Sequence, residues 1–267
     1  MKNATTKENY ALYLVIGLNK ESGHWDQVFL EEMKKNFQTD KLHFLDLPGA
    51  GTWLDGEMPW SITEAVKKMR QHYRMKFQPN EKRILIALSL GGMAASEWVK
   101  QAPQDFDGFV IVNSSFKTYS PLLKRVQPYA MKKFIQIFLA KTIEEKEKFI
   151  TTLSCNNEEG IKRVYERWVK LGKERALSDK NLVRQTFAGA TYKNKFIPNI
   201  PTLVIAAKHD RLAHYTCSEK LKEAWGAQYY LFDNPKIGHA IHVDAPVEFA
   251  EVIYNWTQND DSLKREC

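Results

Sequence analysis

Three residues stand out for what their types and order could do chemically: Ser89, Asp210 and His239. A serine hydroxyl is a poor nucleophile until a base takes its proton, and a histidine base must be held in one tautomer by a third group, usually a carboxylate. The apolar run RILIAL leads into Ser89-Leu90-Gly91-Gly92 and then directly into the helical pattern MAASEWV, so Ser89 falls at a strand-to-helix turn. A serine on such an elbow has its Oγ exposed, while small residues two before and two after it let strand and helix approach closely. Here those flanks are Ala87 and Gly91, with alanine where the G-x-S-x-G pattern has its first glycine. The bland alternative makes Ser89 a helix N-cap that follows a strand. The partners weigh against it: Asp210 follows the run TLVIAA, and His239 lies in the loop NPKIGHAIH after the run QYYLF.

The elements that must hold these residues alternate between two patterns. Runs that read as strands lie at 10–17, 42–47, 83–89, 108–114, 202–208 and 227–233. They are apolar throughout, which suits strands covered on both faces of a mainly parallel sheet. Between them the spacing predicts helices at 25–37, 61–75, 91–101, 216–225 and 245–257. Ser61 with Glu64 three residues on reads as a capping box, and Pro246 suits a first helical turn. From 116 to about 196 the strand signal vanishes and the chain turns helical, basic and aromatic, as an inserted lid would. The expected organisation is an α/β core of residues 1–115 and 196–267, with a helical lid at 116–195. Phe134, Ile135, Phe138, Phe149, Tyr165, Trp168 and Leu171 recur there at roughly helical spacings; most are expected to form the lid's own packing face and a minority to face the site.

Composition narrows the class. The 267 residues are 43% hydrophobic and 12% aromatic, enough for a sizeable core. The three cysteines, Cys155, Cys217 and Cys267, are irregularly spaced and fit no disulfide framework or zinc pattern. No apolar run has the length of a signal peptide or a membrane span, so a cytoplasmic protein is expected. The net charge of +7 is concentrated in residues 117–195, where 18 Lys and Arg face 8 Asp and Glu. No motif supports nucleic-acid binding.

With these motifs in place, the chain resembles the α/β-hydrolase fold-1 family, including the group that contains the pimeloyl-carrier methyl esterase. The resemblance covers nearly all of the chain. It rests on Asp46-Leu47-Pro48-Gly49-Ala50-Gly51, the SLGG elbow, the Asp210 loop, and Gly238-His239 followed by Asp244-Ala245-Pro246. The chain order Ser, Asp, His is that of the α/β hydrolases. The resemblance implies a mainly parallel sheet flanked by helices with a helical cap, and a serine hydrolase acting on a carboxylic ester or thioester through an acyl-enzyme. Ser89 would be the nucleophile, His239 the base and Asp210 its orienting acid, with no metal or organic cofactor. The family's usual His-Gly is Ile16-Gly17-Leu18 here, and the backbone N–H groups of Leu18 and Leu90 would form the oxyanion hole.

Nearby residues have simpler readings. His242 is expected to anchor its loop and Asp233 to be structural. His209, His214, His239 and His242 match no usual zinc signature. His24 and Trp25 either line the pocket or start the first helix; Trp25, Phe138 and Trp168 are the expected substrate contacts. The basic lid fits either a solvated surface or an anionic carrier, such as an acyl carrier protein or a coenzyme A ester. The competing reading for the whole chain is a non-catalytic receptor for a small ligand on the same fold.

Overall fold

Each of the six apolar runs forms a strand; the four in the runs at 10–17, 83–89, 108–114 and 202–208 are buried on both faces, and the two in the runs at 42–47 and 227–233 are partly exposed. The computed structural model describes residues 9–74, 78, 80–260 and 263; residues at both polar ends, and the last position of the helix expected at 61–75, lie outside them. In chain order the elements are β1 (Asn9–Val15), α1 (Gln27–Phe37), β2 (Leu42–Phe44), α2 (Ile62–Tyr73), β3 (Glu81–Leu88), α3 (Leu90–Gln101) and β4 (Gly108–Val112). Five helices follow without a strand: α4 (Leu122–Arg125), α5 (Pro128–Leu139), α6 (Ile143–Ser154), α7 (Glu158–Glu174) and α8 (Asp179–Thr191). The chain then completes the sheet with β5 (Thr202–Ala207), α9 (Thr216–Trp225) and β6 (Gln228–Phe232), and ends in α10 (Ile241–Asp244) and α11 (Pro246–Asn259).

The strand order is β2-β1-β3-β4-β5-β6, and every pair is parallel. Alternation explains why the runs are apolar throughout. Ala11, Tyr13 and Val15 of β1 pack beneath α2, α3 and α9, whereas Tyr10, Leu12 and Leu14 pack beneath α1 and α11. A strand with a core on each face has no solvent side on which to place a polar residue. A parallel sheet also brings all its strand ends to one edge, where β1, β3, β5 and β6 release the loops that carry Gly17, Ser89, Asp210 and His239.

Local chemistry sets the boundaries. The second strand is shorter than its apolar run: after Leu45 N–H bonds Leu14 carbonyl at 2.9 Å, the Asp46 carboxylate turns back to accept from Ser22 N–H at 2.6 Å and Thr52 N–H at 3.1 Å. β4 stops at Asn113, whose φ of 44° leaves the extended region. Only half of the expected capping box forms: Ser61 Oγ accepts from Glu64 N–H at 3.2 Å, but the Glu64 carboxylate pairs with Lys67 at 2.8 Å, one turn on along the solvent face. Pro246 is the first residue of α11, where its missing N–H is no loss.

α3 meets β1 backbone to backbone at Gly91. A Cβ on Gly91 would lie 2.5 Å from the Val15 carbonyl oxygen and 2.7 Å from that of Ile16, both of them backbone atoms. Gly91→Ala therefore forces helix and strand apart; we expect a loss of about 1–3 kcal/mol, read as a lower urea midpoint at unchanged m-value.

Candidate active site

At the end of β3 the backbone turns sharply, and Ser89 takes φ 58° and ψ −121°. That region is strained for a residue with a side chain and is held only where the surroundings dictate it. Here Ser89 N–H bonds Val112 carbonyl at 2.8 Å, and Ser89 carbonyl accepts from Gly92 N–H at 2.9 Å and from Ser114 Oγ at 2.8 Å. Ser89 occupies the N-cap position of α3, yet its side chain makes no capping bond, so the helix-cap explanation of this serine fails. Oγ faces a cavity of about 720 Å³ instead. Gly17 closes in from the β1 loop: a Cβ there would lie 2.9 Å from Ser89 Cβ and 3.4 Å from its Oγ.

His239 opens on the same cavity, and its Nδ1 lies 2.6 Å from Asp210 Oδ2. The other Asp210 oxygen accepts from Leu212 N–H at 2.7 Å and Ala213 N–H at 3.1 Å, which fixes the carboxylate in the loop after β5. With Nδ1 facing the carboxylate, Nε2 is the ring nitrogen left to act on the cavity side. No hydrogen bond joins Ser89 Oγ to His239 among the described residues; such bonds are commonly long in free enzymes and shorten on substrate binding. Leu18 and Leu90 both line the cavity, and no hydrogen bond among the described residues uses either N–H.

The His239 loop is held by Asn113, which carried no signal in the sequence, and by the Asp244 of its Asp-Ala-Pro motif. Asn113 Nδ2 donates to His239 carbonyl at 2.9 Å while its Oδ1 accepts from Ala207 N–H at 2.8 Å, so one buried amide joins the ends of β4 and β5 to the histidine. Asp244 accepts from Gly238 N–H at 2.7 Å, Asn156 N–H at 2.9 Å and Asn157 N–H at 3.0 Å. Burial pushes the Asp244 carboxyl up to about 6, and the three N–H groups oppose that rise.

The other histidines have other partners. His242 Nδ1 accepts from Asp26 N–H at 3.2 Å, and the ring packs on Trp25. His209 pairs with Asp233 at 3.4 Å on the surface, and His214 Nδ1 lies 2.8 Å from Thr216 Oγ1. Among the described residues, no three His, Cys, Asp or Glu side chains gather as a metal site.

Of the expected substrate contacts, Phe138 and Trp168 line the cavity and Trp25 does not. Trp25 is 1% exposed and stacked on Phe29 in the core beneath α1, where burial of its large ring is worth more than a place at the pocket wall. His24, its neighbour, does line the cavity. The helical segment gives more of its stripe to the site than expected: Phe134, Phe138, Trp168 and Leu171, four of the seven stripe residues, line the cavity. Two ion pairs line the same cavity, Lys20 with Glu147 at 3.3 Å and Arg175 with Glu21 at 3.1 Å. Burial lowers the Lys20 ammonium pKa and raises that of Glu21; Glu147 and Arg175 act in the opposite sense.

The family model described as serine aminopeptidase, S33, matches residues 6–246. Among solved structures, a lipase-esterase related protein from Clostridium acetobutylicum ATCC 824 superposes with a TM-score of 0.68 at 18% identity, over 94% of this chain and 96% of its own. An esterase from Rhodococcus sp. ECU1013 gives a TM-score of 0.70 at 14% identity, over 94% of this chain and 91% of its own. At such identities the likeness is one of fold: a parallel sheet flanked by helices, as in the α/β hydrolases. No curated protein matches the chain significantly in sequence. Among the described residues, no helix is long and apolar enough to cross a membrane.

Burial, followed by the nearby Lys20 charge, pushes His242 down to about 3. A histidine neutral when folded takes up a proton on unfolding below its usual value near 6.5, so its contribution to stability is lost as pH falls from about 6.5 towards 3. His24, lowered by burial in the same way, adds to this loss, whereas the raised Asp244 acts in the opposite direction. We expect His242→Asn, which keeps an acceptor for Asp26 N–H, to reduce the wild-type loss of unfolding free energy between pH 7 and pH 4 by about 3 kcal/mol, measured by urea titration at each pH.

Proposed function

The chain belongs to the serine aminopeptidase S33 family of hydrolases, and from that membership we propose that it hydrolyses a carboxylic ester through an acyl-enzyme on Ser89. The observation that supports this reading most is the 2.6 Å contact between His239 Nδ1 and Asp210 Oδ2, beside a serine on a strained elbow that faces the same cavity. His239 Nε2 takes the Ser89 proton as Oγ attacks the acyl carbon. The negative charge that develops on the carbonyl oxygen is met by the N–H groups of Leu18 and Leu90. As the tetrahedral intermediate collapses, His239 gives its proton to the leaving alcohol and the acyl group stays on Oγ. Water then attacks the acyl-enzyme with His239 as base, releasing the acid and restoring the serine. Asp210 remains ionised throughout, orients the imidazole and stabilises the imidazolium.

An ester is favoured by the esterases among the structures of similar fold and by the apolar wall of the cavity. A cavity of about 720 Å³ walled by Phe134, Phe138, Trp168 and Leu171 suits an apolar acyl group. Residues 116–195 act as a lid on the core, and their basic surface favours an ester or thioester presented on an anionic carrier, in line with the resemblance to carrier-directed methyl esterases.

In a series of para-nitrophenyl esters, wild type should turn over and take up a single fluorophosphonate, read by intact mass, while Ser89→Ala loses labelling and at least about 10³-fold in kcat. Wild type that neither turns over nor labels would point to the receptor reading. Phe138→Ala should raise KM for the longer acyl chains and leave acetate esters unchanged. For a carrier-bound ester, kcat/KM should fall with added salt while that of the matched free ester does not; equal behaviour would remove the carrier from the proposal.

A further inference from the structure

The loop that follows β1 lacks the histidine usual at this point in hydrolases of the kind it resembles, and it is held from outside the core. Three consecutive residues each bond a different part of the segment between β4 and β5. Asn19 N–H donates to Gln185 Oε1 of α8 at 3.1 Å. Lys20 Nζ lies 3.3 Å from Glu147 of α6 and 3.8 Å from the ring centroid of Trp168 of α7. Glu21 accepts from Arg175, just past the end of α7, at 3.1 Å.

The contact from α8 differs from the other two because it acts on the backbone. Asn19 has a φ of 55°, a left-handed conformation, and it directly follows Leu18. One turn along the same face of α8, Gly189 packs on the other side of the site: a Cβ there would lie 2.7 Å from Leu90 Cδ1. A single helix therefore touches Leu90 and the residue that directly follows Leu18. It is anchored in turn by Arg125, which donates to Gly189 carbonyl at 2.6 Å and Ala190 carbonyl at 2.8 Å.

Gln185 itself is 0% exposed, and among the described residues its Nε2 has no hydrogen-bond partner. A leucine would fill the same space without a buried, unsatisfied donor. What the amide provides that an apolar side chain does not is the acceptor for Asn19 N–H.

We propose that Gln185 is a positioning residue for the oxyanion hole, setting the direction of the Leu18 N–H through the Asn19 peptide and so making α8 part of the catalytic apparatus. The inference rests on the serine-hydrolase reading above. A hydrogen bond that acts through the backbone of the hole matters most when the carbonyl oxygen has become an oxyanion, so its loss should appear in kcat more than in KM.

The test compares wild type with Gln185→Leu, which removes both the acceptor and the unsatisfied donor. We expect kcat on a short-chain para-nitrophenyl ester to fall about 10- to 100-fold with KM within about twofold. Affinity for an alkyl boronic acid, which becomes tetrahedral on Ser89, should fall by the same factor, and the urea midpoint should not fall. If Gln185→Leu does not fold, Gln185→Met is measured in its place with the same expectation. A kcat within about twofold of wild type, or a loss confined to KM and the urea midpoint, overturns the proposal while leaving the hydrolase reading intact. Wild type that neither turns over nor takes up fluorophosphonate overturns both.

Discussion

The arrangement at the carboxyl edge of the sheet depends on one backbone constraint, the left-handed turn at Ser89. A residue with a side chain at φ 58° is strained by about 1–3 kcal/mol, and the surroundings must compensate for it. They do so with bonds to both backbone groups of Ser89 from β4, α3 and Ser114, and with the absence of side chains at Gly17 and Gly91, which lets β1 and its loop close against the turn. The same close approach puts Leu18 and Leu90 on the cavity wall on either side of the serine. Turn, nucleophile position and proposed oxyanion hole are thus consequences of one packing solution.

Around that turn, the helical segment does more than cover a pocket. The β1 loop is tied to it through Gln185, Glu147 and Arg175. The Asp210 loop is tied through Gln127, whose Nε2 donates to Asp210 carbonyl at 2.5 Å, and through Arg211, which donates to Thr152 and Cys155 carbonyls at 2.7 Å. The His239 loop is tied through Asp244 to Asn156 and Asn157, and through Ala240 N–H to Ser154 carbonyl at 2.8 Å. Every loop that carries a proposed catalytic group other than the elbow is therefore bonded to α4–α8 or their connections. Substrate selection and the geometry of the chemistry share one set of contacts.

Burial gives these contacts their weight. The Lys20–Glu147 and Arg175–Glu21 pairs sit against apolar side chains, where an ion left without its partner is far more costly than at the surface. His24 and His242 are kept neutral by the same surroundings, so they pack and accept hydrogen bonds, while His239 lies beside a carboxylate and is the proposed base. Three histidines near one cavity acquire different roles from environment alone.

The sheet, its flanking helices and the elbow at Ser89 were legible in the sequence because they follow from short-range rules, whereas the chain order of Ser89, Asp210 and His239 was legible through the resemblance to α/β hydrolases. Strands buried on both faces must be apolar throughout, amphipathic helices repeat with their turn, and an elbow needs small residues at fixed offsets. What the tertiary structure decided are matters of approach between distant parts of the chain. Trp25 and His24 are neighbours, yet one enters the core and the other the cavity wall, a choice set by the packing of α1 on α11. Asn113 and Gln185 leave no periodic trace, since a single polar side chain bonding a backbone 166 residues away, as Gln185 does, has no local pattern to announce it. Which elements form, and that Ser89 falls on a strand-to-helix turn, can be read along the chain, because burial imposes a period on neighbouring residues. Only the fold decided which polar groups meet there, because a hydrogen bond depends on ångström-scale distances that no spacing along the chain encodes.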